Sequence, residues 1–142
     1  MPPPAHLREA RAADVPRLIE IRAAVRENRL TDPARIAAPD YLPYITRRHL
    51  WLAEDAAGTP IAFAALDADG DSVWALFVAP EAERRGLGRL LLARLVEEAR
   101  LLALPALTLE TEAGSRAESL YRAAGWTVVG GDRGVLKMRL EL

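Results

Sequence analysis

Between Leu50 and Val78 three short apolar runs follow one another with only turn residues between them, and no other feature constrains the fold as strongly. The runs are Leu50-Trp51-Leu52-Ala53-Glu54, Ile61 to Leu66, and Val73 to Val78. Ala57-Gly58-Thr59-Pro60 and Asp67-Ala68-Asp69-Gly70 separate them. Each run has strand length, and connections this short join antiparallel neighbours. Pro80 ends the third run. After Gly86-Leu87-Gly88 the apolar spacing turns helical, with Leu87, Leu90, Leu91, Leu95 and Val96 on one face. A meander that feeds a long helix is neither a helical bundle nor a doubly wound parallel sheet.

The flanking segments extend this pattern. His6 to Ala10 reads as a first strand. Asp14 reads as an N-cap, with Pro16 in the first turn where its missing N–H costs nothing. Leu18, Ile21 and Val25 keep helical spacing and predict a helix running to about Glu27. Asn28 to Ala38, with Pro33, reads as a loop or a broken helix. A second helix begins at Pro39 and carries Tyr41, Leu42, Tyr44 and Ile45. The long helix ends before Pro105. Leu107 to Thr111 reads as a strand, Ser115 to Ala123 as a short helix, and Gly125 as its C-terminal cap. Trp126 to Val129 and Val135 to Leu140 close as a hairpin. The order β-α-α-β-β-β-α-β-α-β-β over residues 1–142 is that of one mixed α/β domain, with a mostly antiparallel sheet and one parallel crossover.

Composition narrows the chemistry. With no cysteine among 142 residues there is no disulfide, thiolate nucleophile or cysteine-ligated metal. His6 and His49 supply at most part of a metal site, so no metal is expected. A net charge of −1 carries no dominant nucleic-acid footprint. Lys137 is the only lysine, so a phosphate site here must use arginine, backbone N–H groups, or both. The arginine- and alanine-rich composition fits a GC-rich, bacterial coding sequence. The start Met1-Pro2-Pro3-Pro4 lacks a secretory pattern, and the apolar runs fall short of a membrane span. A cytoplasmic protein is expected.

The most informative stretch is Val78-Ala79-Pro80-Glu81-Ala82-Glu83-Arg84-Arg85-Gly86-Leu87-Gly88-Arg89. A strand runs through a glycine-containing turn straight into a helix. The first N–H groups of a helix have no partner within it and carry the positive end of its dipole. Glycine lets a ligand approach that backbone closely. Arg84, Arg85 and Arg89 add charge, which makes the turn suited to a diphosphate. A dinucleotide fold fits poorly, because a third motif glycine and preceding βαβ units are absent. A Walker loop is excluded because no Gly-Lys-Ser/Thr occurs.

Here the chain resembles the GNAT superfamily of acetyl-CoA-dependent N-acetyltransferases. The family turn, Gln/Arg-x-x-Gly-x-Gly/Ala after a strand ending Val-x-Pro, stands as Glu83-Arg84-Arg85-Gly86-Leu87-Gly88 after Val78-Ala79-Pro80. Glu83 departs from it. A carboxylate beside a diphosphate is mildly unfavourable, and Arg84 and Arg85 are placed to offset it. Ala117-Glu118-Ser119-Leu120-Tyr121-Arg122-Ala123-Ala124-Gly125-Trp126 is similar to the family's Ala-x-x-Leu-Tyr-x-x-x-Gly-Phe segment. Gly114 stands where the family often has Asn.

The resemblance implies a six- to seven-stranded, mostly antiparallel sheet flanked by about four helices, its fourth and fifth strands splayed. It implies acetyl-CoA as donor, with pantetheine pairing along Leu76, Phe77 and Val78, and pyrophosphate at Arg84 to Arg89, including Leu87. It implies Tyr121 as the acid that protonates the departing thiolate. For the general base Glu27, Asp71, Glu110, Glu112 and a bound water stay open. Glu27, Asn28, Tyr41 and Trp51, with Tyr44, are expected to frame the acceptor, an amine of a small molecule or peptide. A non-catalytic acyl-CoA-binding module on the same fold is the alternative. Another acyl donor or an O-acceptor is a further one. A homodimer through the C-terminal hairpin or an edge strand is compatible with the resemblance.

Overall fold

The computed structural model describes residues 5–25 and 37–142. Its seven strands form one sheet: β1 (His6–Glu9), β2 (Leu50–Glu54), β3 (Pro60–Asp67), β4 (Ser72–Val78), β5 (Ala106–Glu112), β6 (Thr127–Asp132) and β7 (Val135–Glu141). The spatial order is β1-β2-β3-β4-β5-β7-β6. Every neighbouring pair is antiparallel except β4–β5. Among the described residues four α-helices flank it: α1 (Val15–Ala24), α2 (Ala38–Thr46), α3 (Leu87–Leu101) and α4 (Arg116–Ala123). The sheet, helix count and element order agree with the sequence reading.

β3 is an interior strand with every residue from Pro60 to Leu66 buried. Covering both faces of one strand requires a helix layer on each. Tyr41 of α2 packs on Phe63, ring centroids 6.0 Å apart, and Phe63 on Phe77 at 5.5 Å. That face belongs to α1 and α2. Trp51, opposite Ala64 in the ladder, reaches Glu98 of α3 on the other face. No helix among the described residues is long and apolar enough to cross a membrane.

Helix details depart from the sequence reading at three places. α1 ends at Ala24, short of Glu27, because Val25 is already extended (ψ 113°). The Asp14 side chain makes no cap bond to α1. It turns back instead, accepting from the Arg11 N–H at 2.7 Å and from both terminal nitrogens of Arg8 at 2.9 Å. On α3 the buried residues are Leu87, Leu91, Leu92, Leu95 and Ala99, whereas Leu90 is half exposed. At 100° per residue Leu90 falls outside the arc those five define.

The gap that makes a site lies between β4 and β5. They meet at one register pair, Ser72 opposite Thr108, tied by the Thr108 N–H donating to the Asp71 carbonyl at 2.9 Å. The cause is visible one ladder over. Ala75 pairs with Ala65 but Val73 pairs with Leu66, so Trp74 is an extra residue on β4. Such a bulge bends its strand and raises the local twist, and the last β4–β5 pair, at Ser72, lies two residues before it. The expected splay is therefore present.

Candidate active site

A cleft of about 870 Å³ occupies the gap, lined by β4, β5, the turn into α3, and α4. The ladder phase determines which β4 groups face it. The Ala79 N–H donates to the Ile61 carbonyl at 2.9 Å, which makes Ile61/Ala79 a hydrogen-bonded pair. Such pairs alternate with unbonded ones. Phe77 therefore bonds to Phe63 across β3, while the peptide groups of Leu76 and Val78 point toward the gap. This leaves an unpaired strand edge for an extended ligand. Phe77 contributes only its ring, on the α1 face.

The two glycines at the start of α3 are needed for different reasons. Gly86 is the N-cap residue in a left-handed conformation (φ 78°), and a Cβ there would meet nothing within 4 Å. Its requirement is conformational. Gly88 is one of space: a Cβ would come 3.1 Å from Leu120 Cδ2 and 3.7 Å from Val78 Cγ2. No side chain caps α3. In contrast, the Ser115 hydroxyl accepts from the Glu118 N–H at the start of α4, at 3.2 Å. The first N–H groups of α3 therefore face the cleft with no side chain competing for them.

Arg84, Gly86, Leu87, Gly88 and Arg89 all line the cleft. Arg85 does not. Glu83 is neutralised by Arg116 of α4, an ion pair between segments far apart in sequence, rather than by Arg84 or Arg85. The left-handed φ of 80° at Gly114 accounts for the departure there. After glycine, Asn is among the residues that most readily adopt this conformation.

Tyr121 lines the cleft wall and is buried at 5 % exposure, with its ring 5.6 Å from that of Trp126. Its position follows from how α4 stops. The Gly125 N–H bonds the Arg122 carbonyl and the Trp126 N–H the Tyr121 carbonyl, with Gly125 at φ 94°. This left-handed cap turns the chain sharply and packs Trp126 under the helix. Burial holds the Tyr121 phenol well above its ordinary pKa, so it stays protonated.

The acceptor-side expectations fare differently. Glu27 and Asn28 lie outside the described residues. Tyr41 is fully buried between Phe63 and Trp74 and does not line the cleft. Trp51 lies on the opposite face of the sheet: its Nε1 donates to Glu98 at 2.9 Å, with the Arg94 guanidinium 4.3 Å above its ring. Both are corrections, and both aromatics are taken up by packing. Tyr44 stacks on Trp74 at 4.3 Å. Among the base candidates, Glu110 and Glu112 line the cleft and Asp71 does not. Asp71 sits in the β3–β4 turn at φ 51°. The sequence reading missed Arg22, Trp74 and Lys137, which also line the cleft. Arg22 had a signal, since it falls four residues after Leu18 on the buried stripe of α1.

Residues 46–128 match the family model described as an acetyltransferase (GNAT) domain. No curated protein matches the sequence. Among solved structures, yncA from Salmonella typhimurium, determined with its cofactor acetyl-CoA, is 25 % identical at a TM-score of 0.74, over 98 % of this chain and 94 % of that one. A ribosomal-protein-alanine N-acetyltransferase from Brucella melitensis is 27 % identical at 0.71, over 96 % and 99 %. The PaiA N-acetyltransferase of Thermoplasma acidophilum, in complex with coenzyme A, shares the fold at a TM-score of 0.78 with 20 % identity, over 98 % and 99 %. The domain match spans more than half of the chain, and the protein belongs to the GNAT family of acetyltransferases.

Proposed function

We propose that the protein is an N-acetyltransferase that moves an acetyl group from acetyl-CoA to a primary amine of a small molecule or peptide, directly within a ternary complex. The observation that carries this is the uncapped start of α3 opening, through Gly86 and Gly88, onto a cleft whose β4 edge is unpaired. Acetyl-CoA supplies the acetyl group in activated form, as a thioester. The yncA structure with acetyl-CoA supports the donor assignment.

The residues divide the work along the cleft. The N–H groups of Leu87 and Gly88, with Arg84 and Arg89, hold the diphosphate. The Leu76 and Val78 peptide groups align the pantetheine arm and so bring the reacting atoms together. The reaction breaks a C–S bond and forms a C–N bond, while one proton leaves the amine and one reaches sulfur. Tyr121, protonated throughout the neutral range, donates at the sulfur. Glu110 or Glu112, or a water that one of them positions, takes the amine proton. If a second copy binds, the exposed edge strand β6 is the surface for it.

The test is a thermal-shift titration with acetyl-CoA, CoA and ATP, followed by thiol release against an amine panel. Ligand at 100 times its dissociation constant stabilises by about 2.7 kcal/mol. The chain has no cysteine, so no protein thiol adds to the readout. Acetyl-CoA should shift the transition and ATP should not. No shift with millimolar acetyl-CoA would overturn the assignment. A shift without turnover on any amine would favour the binding-module reading.

A further inference from the structure

Arg22 is unlike the other partly buried arginines of this fold. Arg8 meets Asp14 and Glu54, Arg17 meets Glu81, and Arg94 meets Glu97. Arg22 has no carboxylate among the described residues, and its Nε and Nη1 are buried without a hydrogen-bond partner. It reaches the cleft from α1. Its guanidinium carbon lies 4.9 Å from the centroid of Trp74 and 4.7 Å from that of Phe77.

An unpaired buried charge is among the costliest features a fold can keep. The two rings return part of that cost through the guanidinium face. They leave the in-plane N–H groups of Nε and Nη1 unused, and the planar guanidinium fork to which these groups belong matches a carboxylate in a bidentate fashion. Trp74 and Phe77 are β4 residues, so the fork stands on the β4 side of the cleft, across from Glu110 and Glu112 of β5. Lys137 pairs with Glu110 in the β5–β7 register, which brings opposite charges side by side. Arg22 has no such neighbour among the described residues.

We propose that Arg22 anchors the carboxylate of the acceptor, and that the acceptor is a small amino acid-like molecule bearing both an amine and a carboxylate. This rests on the acetyltransferase reading above and deepens it. The ammonium end faces the Glu110/Glu112 side, where it must lose its proton, and the carboxylate end faces Arg22. Arg22 is partly buried within the cleft, which suits a small occupant better than a polypeptide segment.

The experiment compares kcat/KM for L-amino acids with that for their carboxamides, at saturating acetyl-CoA, on wild type, Arg22→Met and Arg22→Lys. The amide's less basic amine is intrinsically the more reactive, so preference for the acid must come from the protein. Wild type should prefer the acid by roughly 10- to 100-fold, the range expected for a charge-assisted bidentate contact. Arg22→Met should bring the ratio toward one, and Arg22→Lys should restore part of it. Arg22→Met should melt no lower than wild type, since it removes a buried unpaired charge. A wild-type ratio near one, or a ratio unmoved by Arg22→Met, overturns the proposal. Better turnover of peptides beginning with an acidic residue overturns the small-acceptor assignment. If acetyl-CoA binds but nothing is acetylated, calorimetry on CoA-loaded protein decides: binding of amino acids but not amides, lost in Arg22→Met, upholds the anchor, and any other pattern overturns it. Failure of acetyl-CoA itself to bind or react would instead sink the acetyltransferase reading.

Discussion

Replacing Tyr41 by Phe should make the protein more stable. Tyr41 is fully buried, and its hydroxyl has no hydrogen-bond partner among the described residues. The ring itself is well used, edge-on to Trp74 at 5.2 Å and tilted on Phe63 at 6.0 Å. Phe keeps those contacts and removes only the oxygen. In the unfolded chain the hydroxyl is hydrated, and burying it unpaired costs about 1–3 kcal/mol. The one-atom void left behind returns a fraction of that as lost contact. The net expectation is a gain of about 1–2 kcal/mol, which in a domain of this size raises the melting temperature by roughly 3–6 °C. Urea unfolding monitored by tryptophan fluorescence checks it, with the midpoint rising and the slope unchanged. Because Tyr41 does not line the cleft, the acceptor KM should stay within about twofold of wild type, a change worth under 0.5 kcal/mol. A loss of 1 kcal/mol or more would refute the reasoning, because it would mean that the hydroxyl has a partner in solution.

Other expectations follow from the same geometry. Ala103, which ends α3 at φ 59°, should accept Gly with a gain of about 0.5–1 kcal/mol, the left-handed penalty for Ala less the added chain entropy; calorimetric melting decides the sign. Gly86→Ala should cost about 1 kcal/mol through backbone strain, while Gly88→Ala should weaken acetyl-CoA binding more than it changes stability, since its methyl group meets Leu120 at the cleft wall; paired melting and titration curves separate them. Tyr121→Phe should lower kcat by roughly 10²-fold or more with the acetyl-CoA dissociation constant nearly unchanged, and equal effects on both would remove its role as a proton donor. Arg8 holds the Asp14 carboxyl below its ordinary pKa. A depressed carboxyl stabilises above its unfolded pKa, and that contribution fades as pH falls through the folded value. Asp14→Asn should therefore lose about 1–2 kcal/mol at pH 7, a gap that narrows below about pH 4 in a pH series of urea melts.

Local patterns were legible in the chain and long-range pairings were not. Turn chemistry between Leu50 and Val78 dictated a meander, because a connection of a few residues leaves no other way to join two strands. Gly86 and Gly88 marked the start of α3, because glycine best meets a left-handed requirement at one site and a spatial one at the other. These properties belong to neighbours in sequence. The assignment of side chains to faces does not. Tyr41 and Trp51 carry the same aromatic signal as Trp74, yet only Trp74 reaches the cleft; a bulge seen only in the β3–β4 register places it there. The pairing of Glu83 with Arg116, and the isolation of Arg22 from every carboxylate among the described residues, likewise depend on which helix lies against which strand. A fold's element order can follow from local periodicity. The charge balance of its site is set by contacts between segments distant in sequence, and only the folded chain brings those together.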